Sequence, residues 1–184
     1  MILSTRCEDV LDLPESLDTE EVGRALGETA PAGVLVLLSG PTGSGKTSLA
    51  RGVARGLGIS ANIVSPTFLY LQCYESRETG GRADLLHADW DRVSEKSEEL
   101  EESLLEGGES RVTLVEWGEK LSFSVRESFP VVLNVTIAPL PEGRRLSVRW
   151  TSSPEDGERV SGWRKSFLAI LGSGRVRSAV SGKS

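Results

Sequence analysis

Sulfur, histidine and aromatic side chains are scarce in this chain of 184 residues. It has two cysteines, one methionine and one histidine, and aromatic residues make up 5%. Two cysteines, Cys7 and Cys73, cannot build a disulfide framework or a cysteine-rich zinc site; they fit free thiols in a reducing cytosol. A single histidine, His87, excludes a histidine-rich metal centre. No apolar run approaches the ~20 residues of a membrane span. The opening stretch MILSTRCEDVLDL lacks a basic segment leading into an apolar one, so no signal peptide is expected and a cytoplasmic location is. Positive charge is not in excess either. The net charge of −6 and pI of about 5.0 argue against a dedicated DNA- or RNA-binding surface. The balance is uneven, because residues 157–184 carry six basic side chains and one acid. The length favours one domain, with a core of useful size.

What the chain does have is a phosphate-binding loop. The apolar run Val34–Leu38 predicts a buried strand. Gly40, Gly45, Lys46 and Thr47 then complete G-x-x-x-x-G-K-[ST]. Leu49, Val53 and Leu57, with Ala50 and Ala54 beside them, predict a helix opening directly from the loop. Glycines let the backbone turn tightly enough for its N–H groups to converge on phosphate oxygens, and the helix N-terminus adds positive potential there. Lys46 is placed to reach the β- and γ-phosphates, and Thr47 to offer its hydroxyl to Mg²⁺. The candidate nucleotide-binding set is Gly40, Pro41, Thr42, Gly43, Ser44, Gly45, Lys46, Thr47 and Ser48, and the expected cofactors are ATP and Mg²⁺.

Around this loop, residues 2–13 have weak strand character. Asp18, with Glu21 three residues on, predicts a capped helix whose apolar face is Val22, Ala25 and Leu26. Gly58 ends the P-loop helix. Ser65-Pro66 marks an extended loop over 62–68. Residues 69–76 and 83–89 predict a hairpin or near-hairpin across the turn 78–82. Residues 90–111 read as an acidic helix with Leu100, Leu104 and Leu105 inward, stopped by Gly107-Gly108. Strands are expected at 111–117, 131–140 and 144–150, with a short helix at 117–121. Val160, Trp163, Phe167, Leu168 and Leu171 fall at helical spacing and predict a helix over about 157–171. The expected organisation is one domain over 1–172, with 173–184 a flexible basic tail. The fold class is α/β: a P-loop NTPase-like three-layer sandwich with a mainly parallel central sheet and additional antiparallel strands.

A P-loop needs a further acid for its metal, and that acid normally ends an apolar strand. VTLVE ends in Glu116 and LLHAD ends in Asp89. Glu116 is the first choice for Mg²⁺, together with Thr47, and Asp89 is its rival; the remaining acid would position water or sense the γ-phosphate. Thr67, in the loop after Ser65-Pro66, stands where nucleotide switches place a sensing hydroxyl. Asp89, Glu116 and Thr67 are therefore the catalytic candidates. His87, flanked by leucines, reads as structural and Asp91 as a surface charge; Trp117 reads as core, the alternative being an aromatic face presented to the site.

These pieces resemble the TsaE family, also called YjeE. SPTF (65–68), His87-x-Asp89-x-x-Arg92 and Val115-Glu116-Trp117 follow the P-loop in order, and Thr19-Glu-Glu-Val-Gly23 is similar to the family's T-x-x-L-G helix start. The resemblance covers roughly residues 15–150. It implies a bacterial ATPase required for threonylcarbamoyladenosine in tRNA, which docks on a TsaD–TsaB complex, meets tRNA only through it, and is not itself the transferase. It implies phosphate and Mg²⁺ roles for Lys46, Thr47 and Glu116, switch and catalytic roles for Thr67 and Asp89, and nucleotide contacts from Thr19 and Arg144. The chain departs from the family pattern at Pro41, Thr42 and Ser44, at Asp91 where a tyrosine is usual, and by its extension past about residue 152. The main alternative is a small-molecule or nucleoside kinase, with Asp89 deprotonating an acceptor. A tRNA prenyltransferase shares the GPTGSGKT loop but is much longer and lacks SPTF and VEW. A non-enzymatic nucleotide-binding module would not need Lys46, Thr47 and two strand-end acids. A GTPase would need an N-K-x-D motif, which is missing.

Overall fold

The structure is a computed structural model that describes residues 3–14, 19–66, 70–76, 83–93, 98–172 and 176–179. Its strands are β1 (Ser4–Leu13), β2 (Val34–Ser39), β3 (Leu71–Tyr74), β4 (Asp84–Asp89), β5 (Arg111–Glu116), β6 (Val131–Pro139), β7 (Arg144–Ser152) and β8 (Val176–Ala179). Its α-helices are α1 (Thr19–Thr29), α2 (Lys46–Gly56), α3 (Glu98–Leu105), α4 (Phe123–Ser128) and α5 (Gly157–Leu171). The strands form one sheet in the order β3-β4-β5-β2-β6-β7-β1-β8. The central strands β4, β5, β2 and β6 run parallel, while β3 on one side and β7, β1 and β8 on the other are antiparallel. The expected P-loop-like α/β architecture is present, with parallel pairing confined to the centre. Parallel strands must be buried on both faces, and β2 and β5 are: their runs VLVLLS and RVTLVE carry apolar side chains on alternate sides. Val34, Val36 and Leu38 enter one core cluster with α1, α2 and α5; Leu35 and Leu37 enter the other with Leu104, Val125 and Phe129.

Small residues set how the P-loop helix sits. A Cβ on Gly23 would lie 2.2 Å from the Leu49 carbonyl oxygen, and one on Gly52 would lie 2.0 Å from that of Glu20. Backbone contact between α1 and α2 is possible only with glycine at these places. The family-like T-x-x-x-G start of α1 is thus a packing device that seats α2 and, through it, the phosphate loop.

Several sequence expectations change. Residues 90–93 leave β4 as a turn, so the acidic helix is shorter than expected, and Leu105 is 38% exposed rather than inward. Eight-residue α3 has room to bury only Leu104 fully. Helix α4 went unforeseen; Ser122 caps it by accepting from the Val125 N–H at 3.4 Å. The capping role expected of Asp18 lies outside the described residues, as do the turn at 78–82 and residues 67–69. Among residues expected to form a frayed tail, Val176–Ala179 form a strand antiparallel to β1 from Leu11 to Glu8. The edge of β1 offers unpaired backbone groups there, a feature no local composition reveals.

Helix α5 is held by a buried polar knot. Asp9 on β1 is fully buried and accepts two hydrogen bonds from the Arg164 guanidinium, at 2.6 and 2.7 Å, and one from Trp150 Nε1 at 2.8 Å. Trp163 packs edge-on against Trp150 with centroids 5.1 Å apart, and Phe167 lies beside it. Arg164→Met is expected to cost about 3 kcal/mol in urea unfolding, because it leaves Asp9 buried without its counter-charge. Adding Asp9→Asn should restore part of that loss; equal stability of wild type and the single variant would show that the pair contributes nothing.

Candidate functional site

Strand order explains where the site lies. β4, β5 and β2 are adjacent and parallel, so their carboxyl ends meet at one edge of the sheet, where such folds bind ligands. In register, Asp89 stands opposite Glu116, and Glu116 opposite Leu38, two residues before Gly40 opens the loop. A cavity of about 360 Å³ opens there. Its walls include Thr42, Gly43, Gly45, Lys46, Thr47 and Ser48 of the loop, Asp89 and Glu116 from the strand ends, and Ser65, Asp91, Arg92 and Trp117.

The loop makes its turn at Gly45, whose φ of 109° leads straight into α2. The first helical backbone bond near this end runs from the Leu49 N–H to the Gly45 carbonyl at 2.9 Å. By helix geometry, the N–H groups of Lys46, Thr47 and Ser48 are left for a ligand. Lys46 is 95% buried; its ammonium donates to the carbonyls of Gly40 at 2.7 Å and Pro41 at 3.0 Å and lies 3.9 Å from the centre of the Trp117 ring. Burial pushes its pKa down, partly opposed by Glu116 and the other nearby carboxylates. An anion at this place would restore the charge that burial penalises.

Both carboxylates are tightly held. Thr47 donates its hydroxyl proton to Glu116 Oε2 at 3.0 Å, while His87 Nε2 stands 3.0 Å from Glu116 Oε1. Asp89 accepts from the Ser65 hydroxyl on Oδ2 and from the Asp91 N–H on Oδ1 at 2.9 Å. Glu116 and Asp89 are 3% and 4% exposed, so these bonds offset part of the cost of burying polar groups.

Not every predicted residue reaches the cavity. Thr19, Gly40, Pro41, Ser44 and Arg144 lie outside its described lining. Arg144 Nη1 instead donates to Thr19 Oγ1 at 2.8 Å and to the Ser44 carbonyl at 3.3 Å, tying the start of α1 and the start of β7 to the loop. Thr67 falls outside the described residues. Trp117, expected in the core, is half-buried with φ of 57° and turns a ring face to Lys46. Ser65 and Arg92 were legible as site residues only as letters of the motifs SPTF and H-x-D-x-x-R, whereas an aromatic face toward the site was the second reading of Trp117.

The donor set suits Mg²⁺. This ion takes hard oxygen ligands, often one or two carboxylates plus substrate phosphate, rather than an all-protein cage. Thr47 and Glu116 present such oxygens side by side, and no cluster of three or more His, Cys, Asp or Glu capable of holding a metal occurs among the described residues.

The family profile described as "Threonylcarbamoyl adenosine biosynthesis protein TsaE" matches residues 13–146. Similar proteins from several bacteria carry the name tRNA threonylcarbamoyladenosine biosynthesis protein TsaE. That of Streptomyces coelicolor is 42% identical over 54% of this chain and 66% of its own length. That of Synechocystis is 38% identical over 59% and 69%. That of Treponema pallidum is 32% identical over 70% and 90%. The crystal structure of Bacillus subtilis YdiB superposes with a TM-score of 0.59 over 90% of this chain and 97% of that one; at 22% identity this is a likeness of fold alone.

Proposed function

The chain belongs to the TsaE family, and from that premise we propose that it binds and hydrolyses ATP with Mg²⁺ in the biosynthesis of threonylcarbamoyladenosine in tRNA. In this reading it acts in the cytoplasm on a TsaD–TsaB complex and meets tRNA only through that complex. The observation that carries the nucleotide reading is the meeting of the P-loop with two strand-end carboxylates, Thr47 being 3.0 Å from Glu116. Mg²⁺, held by Thr47 and Glu116, would neutralise charge on the phosphates. The chain's own groups do the rest. The loop amides and Lys46 bind and orient the phosphates. Glu116 keeps the Thr47 hydroxyl pointed at the cavity. Asp89, braced by Ser65 and by the Asp91 amide, orients a water molecule for in-line attack. Arg92 on the cavity wall adds positive charge.

The test is ATP turnover by purified protein alone, with TsaD and TsaB, and with small hydroxyl acceptors. Slow hydrolysis alone that changes with TsaD–TsaB is the expected result. Stoichiometric phosphorylation of an acceptor would replace this reading with the kinase; no turnover under any condition would remove the enzymatic claim.

A further inference from the structure

His87 was expected to be a bland core residue, yet among the described residues its ring meets one polar partner, Glu116. We propose that His87 is a positioning residue for the metal site: its Nε2–H holds one oxygen of Glu116, so that the other stays turned to the Thr47 hydroxyl. The inference rests on the Mg-ATP reading above and adds a residue to it.

His87 and Glu116 come from neighbouring parallel strands and share the face beneath α2, since Leu85 and Leu114 on the same alternation pack in the α2-side core. His87 is fully buried, and Nε2 lies 3.0 Å from Glu116 Oε1. Its other nitrogen, Nδ1, has no hydrogen-bond partner among the described residues. That asymmetry assigns the proton. On Nε2 it makes a charge-assisted bond to the carboxylate; on Nδ1 it would be a buried donor without an acceptor, and the Nε2 lone pair would face a carboxylate oxygen. With no partner for Nδ1 among the described residues, the contact is one that orients the carboxylate. Groups that orient metal-binding side chains in this way commonly set metal affinity.

The chain has one histidine, so its imidazole gives a unique nuclear magnetic resonance signature. The ligand-free protein should show a protonated Nε2 and an unprotonated Nδ1, with the Nε2–H signal displaced by Glu116→Ala. A proton on Nδ1 alone overturns the proposal. In titrations of ATP binding with Mg²⁺, His87→Leu should raise the half-saturating Mg²⁺ concentration about 10- to 100-fold while leaving ATP binding without Mg²⁺ unchanged. His87→Gln, whose amide N–H reaches as far as Nε2, should recover most of the loss; His87→Asn, one methylene shorter, should not. The Gln and Asn pair decides the matter if the leucine variant fails to fold. Unmoved Mg²⁺ dependence in these variants, or metal-free binding falling in step with it, would make His87 only a core residue. If the wild type binds no ATP at all, the Mg-ATP reading fails, and the tautomer measurement still decides whether His87 holds Glu116.

Discussion

Lys46→Ala is expected to remove tight ATP binding and leave the fold in place. The ammonium donates to the Gly40 and Pro41 carbonyls beside the cavity, where water can take its place. The stability cost should therefore be near that of one ordinary hydrogen bond, about 1 kcal/mol. Toward phosphate, the same group makes charge-assisted bonds worth about 1.5–3 kcal/mol each, so two of them account for at least about a hundredfold in affinity. At ATP one hundred times the wild-type dissociation constant, wild type should gain about 2.7 kcal/mol of stability, and a variant bound a hundredfold more weakly only about 0.4 kcal/mol. In thermal unfolding with and without Mg-ATP, this separates a shift of roughly 5–11 °C from one near 1 °C. An undiminished shift in the variant would sink the P-loop assignment. Loss of the folded state without ligand would show that Lys46 serves the loop's own structure first.

Asp89→Asn and Glu116→Gln should divide binding from turnover. Glu116 receives a hydrogen bond at each oxygen, from Thr47 and from the facing His87. Glutamine puts an N–H against one of those donors, so one contact must break. Mg-dependent ATP binding and hydrolysis should then weaken together, and higher Mg²⁺ should partly rescue both. Asp89 is held by Ser65 and the Asp91 amide and stands apart from Thr47 in the contacts it makes. Its asparagine variant should bind Mg-ATP near normally and hydrolyse it roughly ten- to ten-thousandfold more slowly, the scale of general acid–base effects. It should still join a TsaD–TsaB complex but fail to sustain repeated rounds of tRNA modification. Single-turnover hydrolysis and Mg-ATP affinity, measured on the two variants side by side, settle the roles. The opposite pattern would exchange them, and unchanged turnover in both would make these acids structural.

Much of this was legible locally. The P-loop is contiguous, and its glycines and Lys46-Thr47 specify a turn chemistry whatever surrounds them. The apolar runs ending in Asp89 and Glu116 mark buried parallel strands because such strands are covered on both faces. Helix α5 showed itself through the spacing of Val160, Trp163 and Phe167, all three buried. Short-range rules reach this far because helix and strand periods are properties of neighbouring residues.

The rest depended on pairings between distant parts of the chain. Nothing near His87 indicates that Glu116, 29 positions away, will stand 3.0 Å from its ring. Arg144 bonds Thr19 across 125 positions, and Arg164 bonds Asp9 across 155. Trp117 packs against the core and also lines the cavity, because the chain turns through a positive φ directly after β5. The strand at 176–179 exists because β1 has an open edge at that place. By itself, then, the sequence determined the phosphate loop, the α/β class and the acids at the strand ends, since each is written in a local period or a contiguous motif. The tertiary structure alone decided which carboxylate meets the Thr47 hydroxyl, what holds it there and how the C-terminal segment is anchored, because those follow from strand order and register.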